Sequence, residues 1–320
     1  MKSNNGISIV IPTFRREKQV LQILNSLKNQ KDQKLDLEII ICDSFSNYNL
    51  SNLKKYQKHL KISYYNIKKN NLSAKRNFGI NICSNKNIIL IDDDCIPDSN
   101  FIKNYTKNFL NLDENIILSG LVVYPEKYLN YNHIKFKSSR HFTSKDISLN
   151  QTLLPEKIVA MNMGIIFSKK FEDIGMFNES FSGYGFEDYE FANRYYSNGF
   201  QLKQTYATII HDEGIPNIDN YIKKHYHLGR DGMKNLINVD IAAAKKTSYY
   251  KFENRAIINF LKIIPKLKII ILLLEKIIIK FDKSKYINFY FLFNLLRAIS
   301  YLRGFIDRNK NTLKSSNWYE

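Results

Sequence analysis

The stretch 87-NIILIDDDCIPDSNF-101 places three acidic residues, Asp92, Asp93 and Asp94, directly after an apolar run. A continuous run of Ile and Leu is typical of a buried parallel strand. Three adjacent carboxylates repel one another. This strand end is therefore either a solvated turn before Pro97 or a site for a divalent cation, because a bound cation would remove the repulsion.

Two similar apolar runs precede this stretch, "ISIVIP" at 7–12 and "LEIIICDS" at 37–44, and both predict strands. Each is followed by a segment that predicts a helix, at 17–30 and at 73–84, with Ser73 as the expected N-cap of the second helix. This alternation predicts an α/β fold with a doubly wound, mostly parallel sheet. Ligands of such sheets bind outside the carboxyl ends of the strands, where Thr13, Asp43 and the three aspartates fall.

The chain after residue 115 predicts further elements of the same domain. Strands are expected at 115–125 and 159–169, and a helix at about 187–198 with Gly199 in the C′ position. A last strand is expected to end at His211. The basic segment 223–232 contains His225 and His227 and is expected to be a loop or helix near the diphosphate or the acceptor.

The composition of the 320 residues allows one large domain or two smaller ones. The three cysteines, Cys42, Cys83 and Cys95, have no metal-ligand spacing, and we expect a reduced, cytoplasmic protein. We expect no signal peptide, because the first strand follows the initial residues directly. The net charge of +18 raises the alternatives of a nucleic-acid partner and a membrane partner. No recognised nucleic-acid motif is present, so we expect no nucleic acid.

The positive charge is concentrated near the C-terminus, where 241–320 holds 16 Lys and Arg against 5 Asp and Glu, a net +11. The segment 255–281 is apolar but interrupted by Lys, and no run reaches the roughly 18 residues that a spanning helix needs. Pro265 is expected to start or kink its helix. If this segment is helical, five polar side chains fall on one narrow stripe of the helix surface: Asn259, Lys262, Lys266, Lys276 and Lys280. This pattern fits an interfacial helix on an anionic membrane, a helix packed on the catalytic domain, or a homodimer contact, and the aromatic residues of 289–305 favour the membrane.

Six motifs carry a resemblance to a known family, in the order SIVIPTFRRE (8–17), LEIIICDSFS (37–46), NLSAKRNFGI (71–80), IILIDDDCIP (88–97), MNMGIIFSKKFEDIGMFNESF (161–181) and GYGFEDYEF (183–191). Over about 7–215 the chain resembles the family 2 inverting glycosyltransferases with the GT-A fold. The last motif also resembles the C-terminal part of β-galactosyltransferases. We therefore expect a catalytic domain at 1–238 and a helical, basic region at 239–320.

The resemblance implies a role for residues in each motif. The implied nucleotide-sugar-binding residues are Pro12, Thr13, Phe14, Arg15, Asp43, Arg76, Asp92, Asp93, Met163 and Gly164. Asp43 would bind the base, and Asp92 and Asp94 would form the Asp-x-Asp motif. Asp94, Asp92 and His211 would be the ligands of Mn²⁺ or Mg²⁺. Asp188, with Glu187 beside it, would be the general base.

These residue types suit sugar transfer. A divalent cation held by carboxylates stabilises a departing diphosphate, a carboxylate can deprotonate an acceptor hydroxyl, and a histidine ligand favours Mn²⁺ over Mg²⁺. Structural roles compete with the functional ones. Glu187 and Asp188 are favoured in any first helical turn, Asp43 can cap a turn, and His211 can be a surface residue. For Lys75 we expect a solvated helix face.

The sequence thus favours a metal-dependent inverting transferase. It would move a hexose or N-acetylhexosamine from a nucleotide sugar to a glycan or lipid-linked acceptor in surface polysaccharide synthesis, for instance of a capsule. The expected donor is a UDP-sugar. It would act in the cytoplasm or on the inner face of the membrane. One alternative is a nucleotidyltransferase that makes an activated sugar, although "IPTFRRE" lacks the glycine-rich loop of such enzymes. A second alternative is a nonenzymatic basic protein that binds membrane or nucleic acid.

Overall fold

A computed structural model of the chain describes residues 2–30, 35–45, 51–140, 151–181, 183–254, 267–284 and 290–308. The strands are, in chain order, β1 (Ser3–Thr13), β2 (Asp36–Asp43), β3 (Lys61–Asn66), β4 (Asn85–Ile91), β5 (Cys95–Pro97), β6 (Ile116–Val123), β7 (Asn162–Ile166) and β8 (Gln201–His211). The α-helices are α1 (Glu17–Lys28), α2 (Ser51–Gln57), α3 (Leu72–Ile82), α4 (Phe101–Asn111), α5 (Asn132–Arg140), α6 (Lys169–Ile174), α7 (Glu187–Ser197), α8 (Ile218–His227), α9 (Met233–Val239), α10 (Ile241–Lys246), α11 (Leu267–Lys280) and α12 (Tyr290–Asp307). A π-helical turn, Leu228–Gly232, joins α8 to α9.

The eight strands form one sheet in the order β3-β2-β1-β4-β7-β6-β8-β5. The first four strands are parallel to one another, and β7 runs antiparallel to both β4 and β6. β8 is parallel to β6, and the short β5 is antiparallel to β8. The predicted α/β fold with a mostly parallel sheet is confirmed. So is the predicted strand end at His211.

The chain divides into two compact units. The first consists of Met1–Pro125, His141–Glu179 and Phe191–Glu213, and the second of Glu126–Arg140, Ser180–Glu190 and Gly214–Glu320. The whole sheet belongs to the first unit. Residue 238, where the sequence places a domain boundary, lies inside the second unit, and that boundary stays a prediction.

The core of the first unit is built by the apolar runs that predicted its strands. Ile9, Ile39 and Ile89 are fully buried on three neighbouring strands, as expected of parallel strands covered on both faces. In β1 and β2 the register aligns Thr13 with Asp43, so the carboxyl ends of these strands lie side by side. β4 pairs with β1 on the other side, and Asp92 follows its last residue.

The helices of the first unit follow the sequence pattern with one correction. The N-cap of α3 is Asn71, whose side chain accepts a hydrogen bond from Ala74 N, whereas Ser73 was predicted to cap it. The N-cap therefore lies two residues earlier than predicted. The prediction for α7 is confirmed, because the helix ends at Ser197 and Gly199 has φ +81°, the left-handed conformation that favours glycine there.

The second unit is helical in the part that the structure describes. α5, α8, α11 and α12 share an apolar cluster that includes Phe136, Ile222, Ile278 and Leu296. α8 and α12 approach so closely that a Cβ at Gly304 would collide with the carbonyl oxygen of Tyr226. The predicted helix at 255–281 is confirmed for α11, while 255–266, with Pro265, lies outside the described residues. Among the helices that the structure describes, none combines the length and apolar content needed to cross a bilayer.

Candidate active site

Asp92, the first residue after β4, is held by a buried arginine. Its Oδ1 accepts a hydrogen bond from Nη2 of Arg76 at 3.0 Å. The side chain of Arg76 is 1% exposed, and its guanidinium carbon lies 5.3 Å from the ring centroid of Phe177. Arg76 reaches the strand end because it lies in the first half of α3, which packs on β1 and β2. Two of the implied nucleotide-sugar-binding residues, Arg76 and Asp92, are thus brought together.

Asp93 and Asp94 share a second arginine. Nη1 of Arg16 donates to Asp93 Oδ1 at 2.9 Å and to Asp94 Oδ2 at 2.7 Å. Asp93 also accepts from Oγ1 of Thr13 at 2.8 Å, and its side chain is buried. Burial raises the pKa of Asp93, Arg16 opposes that rise, and Asp94 adds to it. Protein cations therefore offset the repulsion among the three aspartates, and the triplet by itself is not an argument for a metal.

The stronger indication of a metal is the pairing of Asp94 with His211. β5 and β8 align Cys95 with His211, which brings Nε2 of His211 to 3.4 Å from Asp94 Oδ1 and 3.7 Å from Glu213 Oε1. Burial alone would raise the pKa of Asp94, but the charge and hydrogen bond of His211, with the charge of Arg16, outweigh it and hold the pKa well below its usual range. Asp94 is therefore a carboxylate at neutral pH, as a metal ligand must be.

The thiol of Cys95 also lies in this cluster. Ligand atoms of Asp94, Cys95 and His211 all lie within 4.8 Å of one another. Burial and the three neighbouring carboxylates raise the pKa of Cys95 well above its usual value. A protonated thiol is a poor ligand for Mn²⁺ or Mg²⁺. Without the thiol, Asp94 and His211 are the two donors of this cluster that fit a hard or borderline cation, and Glu213 lies 3.7 Å from Nε2 of His211.

Nδ1 of His211, the second ring nitrogen, is buried and forms no hydrogen bond to any described residue. The ring of Tyr124 lies 5.5 Å away, centroid to centroid. Metal-ligating histidines ordinarily donate this second nitrogen to an oxygen, which fixes their tautomer. His211 is therefore fixed by its strand pairing and its packing rather than by a hydrogen bond at Nδ1.

Asp43 lies at the end of β2 and is fully buried. Its carboxylate accepts from the backbone N of Phe45 at 2.9 Å and from the hydroxyl of Tyr64 at 3.3 Å. Burial raises the pKa of Asp43, and the hydrogen bond from Phe45 and the charge of Lys75 oppose the rise. Its predicted contact with a base stays a prediction, and residues 46–50, which follow this strand end, lie outside the described residues.

Two aromatic rings and a guanidinium lie beside this strand end. Phe14 and Phe45 pack edge to face with centroids 6.2 Å apart, and the guanidinium carbon of Arg15 lies 4.8 Å and 5.1 Å from the two centroids. Arg15 has φ 58°, so the chain turns sharply here. Pro12 lies in β1, opposite Cys42, and is buried. Flat rings of this kind can stack against a nucleobase.

Lys75 contradicts the expectation of a solvated helix face. Its side chain is buried, and Nζ donates to the carbonyl oxygen of Thr13 at 2.7 Å and to Oδ1 of Asn70 at 2.9 Å. Burial lowers the pKa of Lys75 to about 8, although the charge of Asp43 acts in the opposite direction. The prediction was wrong because α3 buries both of its faces in its first two turns, so helical periodicity did not reveal which face is exposed.

Met163 and Gly164 are not brought into this cluster. Both lie in β7, where Met163 is fully buried in the core. A Cβ at Gly164 would lie 2.6 Å from Tyr105 Cε1 and 3.1 Å from Leu118 Cβ. The structure thus gives Gly164 a packing role, since only glycine leaves room for the Tyr105 ring.

Glu187 and Asp188 lie in the first turn of α7 and belong to the second unit. Both side chains are partly exposed. The preceding residue, Phe186, has φ 72°, so the chain enters the helix through a tight turn. Acidic side chains are favoured at a helix N-terminus, where the backbone N–H groups point outward. Their catalytic role stays a prediction.

Three residues near the strand ends were not predicted as site residues: Arg16, Lys75 and Glu213. Arg16 is one residue beyond the predicted pocket motif, and nothing in its spacing distinguishes it from Arg15. Glu213 is two residues after His211 in "HDEG", and a paired acid so close to a predicted ligand is the signal that was available.

Residues 8–175 match the family model of glycosyl transferase family 2, and residues 156–215 match that of the N-terminal domain of galactosyltransferase. The first match spans more than half of the chain. The chain belongs to glycosyl transferase family 2. The predicted family is confirmed, and the second match contains the "GYGFEDYEF" motif.

Curated relatives of this glycosyltransferase include two bacterial synthases. A chondroitin synthase of Escherichia coli is 25% identical over 304 residues, covering 83% of this chain and 42% of the relative. A hyaluronan synthase of Pasteurella multocida is 26% identical over 281 residues, covering 77% of this chain and 28% of the relative. The chain therefore spans less than half the length of these relatives.

Solved structures share the fold. The mannosyltransferase PcManGT from Pyrobaculum calidifontis, in complex with GDP-Man and Mn²⁺, has a TM-score of 0.60 at 11% identity, covering 97% of this chain and 88% of that one. S. aureus TarS 1–349 in complex with UDP-GlcNAc has a TM-score of 0.50 at 17% identity, covering 95% and 91%. At these identities the comparison establishes the GT-A fold.

Proposed function

We propose that this glycosyltransferase uses a divalent cation, Mn²⁺ or Mg²⁺, to transfer a hexose or N-acetylhexosamine from a UDP-sugar, with inversion, to a glycan or lipid-linked acceptor in surface polysaccharide synthesis. The observation that carries the proposal is the convergence of Asp94 and His211 at one strand end, beside Asp92 and Arg76. Carboxylate and imidazole donors next to a buried guanidinium fit a cation and a diphosphate together.

Three residues would hold the cation: Asp94 and His211, with Glu213 beside them. This set contains two carboxylates and one imidazole, and the imidazole favours Mn²⁺. When bound there, the cation would stabilise the charge of the departing diphosphate. Asp92, held by Arg76, would contact the ribose or the cation.

Asp188 is the proposed general base. A carboxylate that takes a proton from the acceptor hydroxyl, on the face of the sugar opposite the diphosphate, gives inversion. Its position at the start of α7 favours the ionised form, because the helix N-terminus stabilises negative charge. Glu187 would support it as the second acid of the same turn.

The donor and acceptor classes are supported by the relatives. Two relatives are named as synthases of chondroitin and hyaluronan, which are polysaccharides. TarS, which shares the fold, is seen with UDP-GlcNAc. PcManGT is seen with GDP-Man, so a GDP-sugar is the alternative donor, and the donor panel must include one.

The decisive experiment measures release of nucleoside diphosphate from several donors without an acceptor: UDP-glucose, UDP-N-acetylglucosamine, UDP-N-acetylgalactosamine, UDP-glucuronate and GDP-mannose. Each is incubated with Mn²⁺, Mg²⁺ or EDTA. We expect UDP release from at least one UDP-sugar, with EDTA and the Asp94→Ala variant each abolishing it. For a donor that is not hydrolysed, calorimetric binding replaces turnover. If no nucleotide sugar is hydrolysed or bound in the presence of metal, the proposal is wrong.

An anionic membrane surface is the proposed location, at the inner face of the cytoplasmic membrane. Within the second unit, one face of α11 packs against other helices through Ile271 and Ile278. The opposite face exposes Ile269, Leu273 and Ile277 by 53%, 55% and 52%. An exposed apolar face of this kind within a strongly basic region suits insertion into an interface with anionic lipids.

The membrane proposal is tested by flotation with vesicles of phosphatidylglycerol and with vesicles of phosphatidylcholine alone. The protein should float with the anionic vesicles, and Leu273→Ser with Ile277→Ser should weaken flotation. If the protein floats with neither kind of vesicle, the membrane proposal is refuted. If sedimentation also shows a dimer that the double variant dissociates, the face is a homodimer contact.

A further inference from the structure

A cationic and aromatic cluster lies within the second unit. Arg140 ends α5, Arg297 lies in α12, and Tyr221 and His225 lie one turn apart on α8. The guanidinium carbon of Arg297 lies 5.9 Å from the ring centroid of Tyr249, and the rings of Tyr221 and His225 are 4.4 Å apart. We call these five residues the arginine–tyrosine cluster.

The charge of Arg297 acts on Arg140. Burial, together with the charge of Arg297, lowers the pKa of Arg140. Burial and the charges of Arg297, Lys224 and Arg140 lower the pKa of His225 to about 3, against the effect of its hydrogen bond to the backbone of Tyr221, so His225 is neutral. The neutral ring donates through Nδ1 to the carbonyl oxygen of Tyr221 at 2.9 Å. The cluster therefore holds two positive charges without a third on the histidine.

Other arginines of the second unit have carboxylate partners. Arg230 pairs with Asp231 at 2.6 Å, Arg303 with Glu275 at 2.7 Å, and Arg308 with Glu253 at 2.8 Å. Among the described residues, no carboxylate forms a salt bridge with Arg140 or Arg297. Arg140 is exposed and Arg297 is half-buried, so solvent screens part of their repulsion, and a bound anion would remove the rest.

The hydroxyl of Tyr221 gives a second and independent indication. The residue is 7% exposed, and its hydroxyl is buried without a hydrogen-bond partner in the described part of the chain. The charges of both Arg297 and Arg140 act on this hydroxyl. A buried hydroxyl normally has a partner, since its loss of hydration is otherwise uncompensated. The unused donor therefore lies where the charges of two guanidinium groups act, as an oxyanion site requires.

We propose that Arg140, Arg297 and Tyr221 bind an oxyanion, a carboxylate or phosphate group, of the acceptor glycan. Guanidinium groups bind either oxyanion through paired N–H donors, and a tyrosine hydroxyl adds a third donor. This inference rests on the proposed function, because it takes the anion to be part of the acceptor. It names an acidic acceptor, either a uronic-acid or a phosphate-bearing glycan.

The test is calorimetric titration of the full chain with inorganic phosphate, D-glucuronate and, as a neutral control, D-glucose. We expect at least one of the two anions to bind and glucose not to bind. Arg140→Gln and Arg297→Gln should each weaken that binding about tenfold to hundredfold, because each removes a charge-assisted contact. Tyr221→Phe should weaken it by a smaller factor. Lys245→Gln, which removes one exposed charge of the same unit, should bind as the wild type does.

The inference is overturned if neither anion binds. It is also overturned if the arginine variants bind an anion as strongly as the wild type does, because such binding would be adventitious attraction to a basic surface. Preference for glucuronate would support a uronate acceptor, and preference for phosphate a phosphorylated one. Arg297→Lys should fold and keep part of the affinity, which separates lost binding from lost structure. Donor hydrolysis, measured in the same preparations, should be unchanged. If the wild type neither hydrolyses nor binds any nucleotide sugar, the proposed function is wrong, but anion binding that depends on the two arginines would still establish the oxyanion site.

Discussion

The ion pair between Arg76 and Asp92 gives the most specific prediction, because its two partners differ so much in exposure. The Arg76 side chain is 1% exposed and the Asp92 side chain 26%, at a separation of 3.0 Å. Asp92→Asn keeps the shape of the side chain but leaves a buried guanidinium without its carboxylate. Two unit charges at this separation attract by about 5 kcal/mol at an effective dielectric constant near 20.

The expected loss of stability is smaller than that attraction, because Asp92 recovers hydration on unfolding. Breaking a fully buried pair costs about 3–5 kcal/mol, and exposed pairs are worth about 0–1 kcal/mol. With one buried and one quarter-exposed partner we expect Asp92→Asn to lower the free energy of unfolding by about 2–3 kcal/mol. The double variant Arg76→Met with Asp92→Asn should lose less than the sum of the single variants, because it removes both charges.

The assay is urea unfolding followed by circular dichroism at pH 7, with Lys69→Ala as the matched control. Lys69 pairs with Glu179 at 3.1 Å, but these side chains are 55% and 42% exposed, so we expect a change of about 0–1 kcal/mol there. Two results would contradict this account of the strand end. The first is unfolding of Asp92→Asn at the same urea concentration as the wild type. The second is that the losses of stability in Asp92→Asn and Arg76→Met add up in the double variant. Either result would mean that the buried Arg76 is not stabilised by Asp92.

Three further predictions follow from neighbouring residues. Lys75 has a pKa of about 8 in the folded chain and an ordinary value of 10.5, so the unfolded chain binds more protons between these pH values. The free energy of unfolding of the wild type, relative to that of Lys75→Met, should therefore rise by up to about 3 kcal/mol from pH 7 to pH 10. A difference between the urea midpoints of the two proteins that does not change with pH would contradict the burial argument. Gly164→Ala should lose about 1–3 kcal/mol through overpacking against Tyr105, with Gln201→Ala as an exposed control, and its KM for the donor should stay unchanged if Gly164 only packs. Asp188→Asn should lower transfer to an acceptor by at least about a hundredfold and leave donor binding intact, whereas full transfer activity would eliminate Asp188 as the base.

The sequence predicted the part of the fold that apolar periodicity controls. Continuous apolar runs identified β1, β2 and β4, and their carboxyl ends do bring Thr13, Asp43 and the aspartates to neighbouring positions. β3, with the sequence KISYYN, escaped prediction because it is half exposed and carries no apolar run. A strand that is buried on both faces has a continuous apolar sequence, whereas a half-exposed edge strand has no such pattern.

The candidate site was predicted in its acidic residues better than in its basic ones. A carboxylate after a buried strand has few structural explanations, so Asp92, Asp93 and Asp94 were conspicuous. A lysine or arginine on a helix is ordinarily solvated, and only the packing of α3 shows that Lys75 and Arg76 are buried. The interleaving of 126–140 and 180–190 into the second unit depends on contacts between distant residues, which no local pattern contains.

The most direct test of the central claim is the binding of Mn²⁺ in the presence of UDP, followed by electron paramagnetic resonance of the free ion. The wild type should bind one Mn²⁺, and Asp94→Asn and His211→Gln should each lose that binding. Cys95→Ala should keep it, because the thiol of Cys95 stays protonated. Equal binding by the wild type and by Asp94→Asn, or loss of binding in Cys95→Ala, would contradict the proposed metal site.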